Sequence, residues 1–168
     1  MKRNLHIIQG QYEVAGSDPD CCMTTVLGSC ISVCLYDPAL RVGGMNHFLL
    51  ASGHVAGANS ASYGVNAMEL LINGLQKLGA NRRTLRAHIF GGARMVAGLS
   101  NVGGRNAEFA TGFLRDEGIR VMTCSVGGSV ARRVNFWPAT GFAEQHLIEQ
   151  RVIEAAPLTA STGDVELF

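Results

Sequence analysis

Cys30 and His47 are the residues whose types and spacing fit covalent chemistry on an acyl group. Ile31, Val33 and Leu35 alternate with Cys30, Ser32, Cys34 and Tyr36, the period-two pattern of a strand. Asp37-Pro38-Ala39-Leu40 follows, with proline where a turn takes its second residue, and Val42 to Leu50 resumes an extended, largely apolar run. With Pro38 and Ala39 as the two central turn residues of this β-hairpin, Cys30 is expected to face His47, and Cys34 to face Gly43. Opposed side chains share a face with Cβ atoms about 4.5 to 5.5 Å apart, close to what a thiol and its imidazole base require.

Such a pair performs acyl transfer. The imidazole favours thiolate, lowering the thiol from its free value of about 8.5, and returns a proton to a leaving amine. Cys30 follows Gly28-Ser29, where the chain must leave one strand and begin another. A nucleophile at such a bend is exposed, and backbone N–H groups at Gly28 and Ser29 are candidates to face a developing oxyanion. A third group should orient the imidazole. Thr24 is the candidate, six residues before Cys30, but a straight strand would hold it about 20 Å away. Only a reversal at Leu27-Gly28-Ser29 brings it near. The competing reading makes Cys30 a small buried hydrophobe and His47 a satisfied core histidine.

The remaining reactive residues fit less well. The five cysteines, 21, 22, 30, 34 and 124, contain no CxxC pair, and no HExxH is present, so neither a metal nor a cofactor is expected. Their odd number points to free thiols in a reducing compartment. Cys34 and Cys124 read as core, whereas Cys21-Cys22 reads as a polar loop open to oxidation. His54 reads as solvated. Gly103-Gly104-Arg105-Asn106 resembles a phosphate-friendly helix start but lacks the lysine of a P-loop, and Arg105 and Asn106 are alternatively braces for the sheet.

The elements that must hold these groups read as one domain, residues 1–168, with a loose tail after about residue 155. Leu5–Gln9, Met23–Leu27, Leu85–Phe90, Ile119–Val126, Ala131–Trp137 and Gln145–Val152 read as further strands. Gly64–Leu78 carries apolar residues at three- and four-residue steps and stops at Gly79; a second helix is expected over Arg105–Glu117, stopping at Gly118. Ala51 to Ser62 reads as a loop. Strands outnumber helices, so the fold class is α/β with a mixed β-sheet and helices packed on it. The 21 glycines among 168 residues are nearly double the usual share of about 7%. They fall in pairs after apolar segments, as at Gly91-Gly92 and Gly127-Gly128, and read as turns or as walls of a cleft.

Fourteen basic against thirteen acidic residues give a net charge of +1 and no field to steer the chain toward nucleic acid or anionic lipid. No apolar run reaches the roughly 18 residues of a membrane span, and the N-terminal segment lacks a secretory apolar stretch, so a cytoplasmic protein without membrane insertion is expected.

The run TTVLGSCISVCLYDPALRVGGMNHFLL, Thr24 to Leu50, resembles the signature region of the CheD family, chemoreceptor glutamine deamidases of bacterial and archaeal chemotaxis. YGVNAMELLINGLQKLGA, IFGGARM, VGGRN, Gly127-Gly128 and Thr140-Gly141 continue the resemblance in the family's order, over about Gln9 to Arg151. On these residues the resemblance puts the family's catalytic cysteine at Cys30, its histidine at His47 and its threonine at Thr24, with Thr25 the adjacent alternative. It implies hydrolysis of glutamine side chains on methyl-accepting chemotaxis receptors to glutamate, with release of ammonia. It also implies a sandwich similar to the catalytic domain of deamidating toxins of the cytotoxic necrotizing factor type, and docking to CheC, a phosphatase of the response regulator CheY. A binding module acting through CheC and a cysteine peptidase or methylesterase are the alternatives.

Overall fold

The computed structural model describes residues 1–50, 58–96, 101–149 and 165–168. Ten strands and two helices follow in the order β1 (Arg3–His6), β2 (Tyr12–Ala15), β3 (Cys21–Leu27), β4 (Ile31–Asp37), β5 (Val42–Asn46), α1 (Ala58–Lys77), β6 (Arg86–Gly91), α2 (Val102–Asp116), β7 (Arg120–Val126), β8 (Ala131–Trp137), β9 (Phe142–Ile148) and β10 (Val165–Leu167). The strands form two five-stranded sheets, β1-β3-β8-β9-β10 and β2-β5-β4-β6-β7. Both are mixed: β1 pairs with β3, and β6 with β7, in parallel; the other ladders are antiparallel. The mixed α/β architecture expected from the sequence is present. Among the described residues no helix is long and apolar enough to cross a membrane.

Two apolar cores explain the layering. One lies between the sheets and contains Ile7, Met23, Leu27, Cys34, Met45, Phe90, Val134 and Phe136. The other lies on the far side of the second sheet, where Ile31, Val33, Leu35, Phe48 and Ile89 meet Met68, Leu71, Ile72 and Leu75 of α1 and Ala107, Ala110 and Leu114 of α2. Strand β4 serves both, because alternate residues point to opposite faces. Gly79 (φ +98°) and Gly118 (φ +69°) end the helices in the left-handed region, as glycine after a helix should.

Several expectations are corrected. The β4–β5 turn takes Pro38 to Arg41, two residues more than expected. Asp37 Oδ1 accepts from the N–H groups of Ala39 and Leu40, and Arg41 adopts φ +58°. The register is therefore Cys34↔Met45, not Cys34 opposite Gly43. Helix α1 starts at Ala58, so the loop expected to run to Ser62 ends earlier, and α2 starts at Val102. Strands β2 and β10, both short, are not among the expected strands. Cys21 and Cys22 are not in a polar loop; they open β3 and are buried. Cys124 is exposed, because β7 is the edge strand of the second sheet. His54 and the tail from about residue 155 to 164 lie outside the described residues.

Candidate active site

The chain changes sheets between β3 and β4, and Cys30 sits at that crossing. At Gly28 the Met95 side chain lies close enough that a Cβ would come to 3.3 Å from it, so Met95 would have to give by a few tenths of an ångström. The bend needs Gly91: it has φ +112°, and a Cβ there would come to 2.1 Å from the Cys30 carbonyl oxygen. The Gly91-Gly92 pair thus forms the bed of the bend rather than an open cleft wall. Gly127-Gly128 supports it, with Gly127 N–H donating to Gly91 O and Arg94 N–H to Gly128 O.

Strand β5 carries His47 just past its end. The Ile31↔Phe48 bridge continues the hairpin register, which puts His47 across from Ser32 and one diagonal step from Cys30. Ile31 and Phe48 both face the helices, so Cys30 and His47 both face the other sheet. The expected shared face is present, with a diagonal rather than a direct pairing. Diagonal neighbours lie about 7 to 8 Å apart at the backbone, and among the described residues no hydrogen bond joins the Cys30 thiol to the ring. The His47 backbone is pinned on both sides, its N–H donating to Gln11 O at 3.1 Å and its carbonyl accepting from Gly10 N–H at 2.8 Å.

Thr24 does not meet the imidazole. In β3 the odd residues Cys21, Met23, Thr25 and Leu27 face the inter-sheet core, and Thr24 points to the outer surface, where its hydroxyl donates to Asn135 Oδ1 at 2.8 Å. Thr25 is the threonine on the ring: its Oγ1 lies 2.8 Å from His47 Nδ1 and 2.7 Å from Ile7 O. The carbonyl of Ile7 can only accept, so the one hydroxyl proton goes to it, and Thr25 Oγ1 turns a lone pair toward the imidazole. Nδ1 therefore carries the ring proton, and Nε2 is left as a proton acceptor.

Burial sets the charges. It pushes the His47 pKa below its ordinary value, against a smaller opposing effect of Ile7 O, so the ring is neutral at pH 7. Burial also pushes the Cys30 thiol up. The expectation of a thiolate lowered by the imidazole is thus corrected: a neutral ring offers no positive charge to offset thiolate desolvation. Among the described residues the hydrogen-bond partner of Cys30 Sγ is Gln9 Oε1 at 3.8 Å, not the His47 ring. Two further residues thus border the site: Gln9, through this contact, and Met95 of the IFGGARM segment, which lies over Gly28; neither has a residue type or spacing that marks a chemical role.

Comparison with known proteins adds what geometry does not. Residues 49–146 match the family model described as CheD chemotactic sensory transduction. The chain is 50% identical over 176 residues to a probable chemoreceptor glutamine deamidase CheD of Agrobacterium fabrum, spanning 99% of this chain and 97% of that one. It is 51% identical over 174 residues to the protein of the same name from Caulobacter sp., spanning 98% and 92%. A crystal structure of a Neisseria meningitidis DUF152 protein superposes on 76% of this chain and 64% of that one, with TM-score 0.45 and 13% identity.

Proposed function

This chain belongs to the CheD family of chemotactic sensory transduction proteins, and on that premise we propose that it is a protein-glutamine deamidase of methyl-accepting chemotaxis receptors. The observation that carries the reading is the Thr25–His47 bond, which leaves Nε2 as a base on the strand face that also carries Cys30. The names of its relatives supply the substrate.

In the proposed reaction Cys30 Sγ attacks the carboxamide carbon of a receptor glutamine as His47 Nε2 takes the thiol proton. The imidazolium, held by Thr25, returns that proton to the departing nitrogen, and ammonia leaves a thioester behind. Water, deprotonated by the same nitrogen, then attacks the thioester; glutamate forms and the Cys30 thiol is regenerated. A hydroxyl stabilises imidazolium less than a carboxylate would, which suits a slow maturation enzyme. No step uses a metal or cofactor. Docking to CheC, kinship with the deamidating toxin fold, a single domain and a cytoplasmic location belong to the same proposal.

Intact-mass analysis of a receptor cytoplasmic fragment tests it. Deamidation adds about one mass unit per converted glutamine, as replacement of an amide by a carboxylate requires. Peptide fragments in place of that shift mean a cysteine peptidase, and loss of methyl groups from a methylated receptor means an esterase.

A further inference from the structure

We propose that Asn106, on α2, is a positioning residue that aims the Cys30 amide N–H at the oxyanion of the acyl-transfer step. The inference rests on the deamidase reading above. Asn106 is fully buried, yet its amide does not serve its own helix. Nδ2 donates to Ser29 O at 2.8 Å, and Oδ1 accepts from Leu50 N–H at 2.9 Å. One side chain thus ties the residue before the proposed nucleophile to the segment that leaves the proposed base.

Three successive carbonyls at the bend are each held by one donor. Ala93 N–H reaches Gly28 O at 2.9 Å, Asn106 reaches Ser29 O, and Gly92 N–H reaches Cys30 O at 2.8 Å. Close packing of α2 makes this possible: at Gly103 a Cβ would come to 2.4 Å from both Gly92 O and Ala93 O. In a trans peptide the C=O and the following N–H point in opposite directions, and the chain has no cis bond among the described residues. Turning Ser29 O toward α2 therefore turns Cys30 N–H away from it. The Cys30 side chain packs on the inter-sheet core, on the side of the sheet opposite α2, so the amide is turned to the side of its own sulfur. Among the described residues neither Ser29 N–H nor Cys30 N–H has an acceptor, whereas the next amide, Ile31 N–H, is taken by Phe48 O.

A donor aimed in advance at the site of developing charge is worth about 10²- to 10³-fold in kcat. Of the three clamps only Asn106 is a side chain, so it alone can be removed without rebuilding the backbone. Asn106→Asp keeps the acceptor for Leu50 but has nothing to donate to Ser29 O. Asn106→Ala removes both arms without burying a charge and carries the same comparison if the aspartate variant does not fold.

The experiment measures receptor deamidation together with the rate at which iodoacetamide alkylates Cys30. The proposal expects kcat to fall about 10²-fold, KM to stay within about twofold, and alkylation to match the wild type, because that displacement builds no oxyanion. A folded variant with wild-type kcat overturns it. So does an alkylation rate that falls in step with kcat, which means a structural brace only. If the wild type itself releases no ammonia from receptors, or Cys30→Ala releases it equally fast, the deamidase reading fails first and takes this inference with it.

Discussion

Thr25 Oγ1 and His47 Nδ1 lie 2.8 Å apart and join the two sheets at the candidate site. The threonine belongs to the first sheet and the histidine follows a strand of the second. The bond fixes the tautomer because the threonine's own proton is committed to Ile7 O at 2.7 Å.

Removing that hydroxyl frees the ring. Thr25→Val is expected to lower kcat about 10- to 100-fold, part of the roughly 10²- to 10⁴-fold that a positioned acid–base group contributes, while Thr25→Ser retains most of it. Thr24→Val removes the bonds to Asn135 and to the Cys22 thiol, neither of which touches the imidazole, and is expected to leave kcat within about twofold. Steady-state deamidation by the three variants checks this, and equal losses for Thr24→Val and Thr25→Val would refute it.

Glycine substitutions should separate the bed of the nucleophile from a plain turn. Alanine at Gly91 drives its Cβ to 2.1 Å from Cys30 O, so Gly91→Ala is expected to abolish activity and destabilise the fold. Gly127 also has positive φ, +88°, but nothing lies within 4 Å of its Cβ position. Gly127→Ala should therefore cost only the conformational penalty, about 1 kcal/mol, with activity retained. Thermal melts and alkylation of Cys30 in both variants make the comparison.

Acid should destabilise the protein through its buried histidines. His88 is neutral in the core, with Nε2 donating to Gly141 O at 2.8 Å and Nδ1 without a partner among the described residues. Burial lowers the folded pKa of both His47 and His88 from 6.5. The unfolded chain therefore binds protons at a pH where the native state does not, so stability is full above about pH 6.5 and falls as the pH drops below it. Asp37, whose desolvation is outweighed by bonds from Thr84, Leu40 and Ala39 that hold it below its ordinary 3.8, keeps its stabilising contribution throughout this range and loses it only as the pH falls below about 3.8. Urea midpoints at pH 7.5 and 5.0 test this; the midpoint should be lower at pH 5.0, and the difference should shrink in His88→Gln. A midpoint independent of pH across this range would contradict it.

The pH profile of activity should follow His47. Its neutral form is the proposed base, and burial keeps that form populated down to below pH 6.5. We expect kcat/KM to be flat near pH 7 to 8 and to decline only below about pH 6.5. A decline centred above pH 7 would show a base other than a buried neutral imidazole.

Much of this arrangement is legible in the sequence, for physical reasons that also mark where reading stops. Alternation in Ile31–Tyr36 gave the strand, its faces and the shared face of Cys30 and His47, because a half-buried pleat leaves a period-two trace. The turn length was hidden because Asp37 caps two N–H groups with its side chain and Arg41 accepts positive φ, neither of which a Pro-Ala pair announces. The threonine was hidden because Thr24 and Thr25 are chemically identical, and only the packing of β3 against the second sheet decides which one faces inward. The exposure of Cys21, Cys22 and Cys124 does not follow from their local sequence, because it depends on whether a strand is central or at an edge. The GGRN cluster marks Asn106 as a candidate brace, but not what it braces: its partners, Ser29 O and Leu50 N–H, lie 77 and 56 residues away in the chain.

Trapping the acyl-enzyme tests the central claim most directly. A receptor fragment is turned over by wild type and by Cys30→Ala in the presence of hydroxylamine, which intercepts thioesters, and the modified glutamines are mapped by mass. The account predicts that wild type yields, at the same glutamines, both glutamate and its hydroxamate, about 1 and about 16 mass units above glutamine, as partition of a covalent acyl intermediate requires. Cys30→Ala should yield neither. Conversion of those glutamines by Cys30→Ala at the wild-type rate would contradict it.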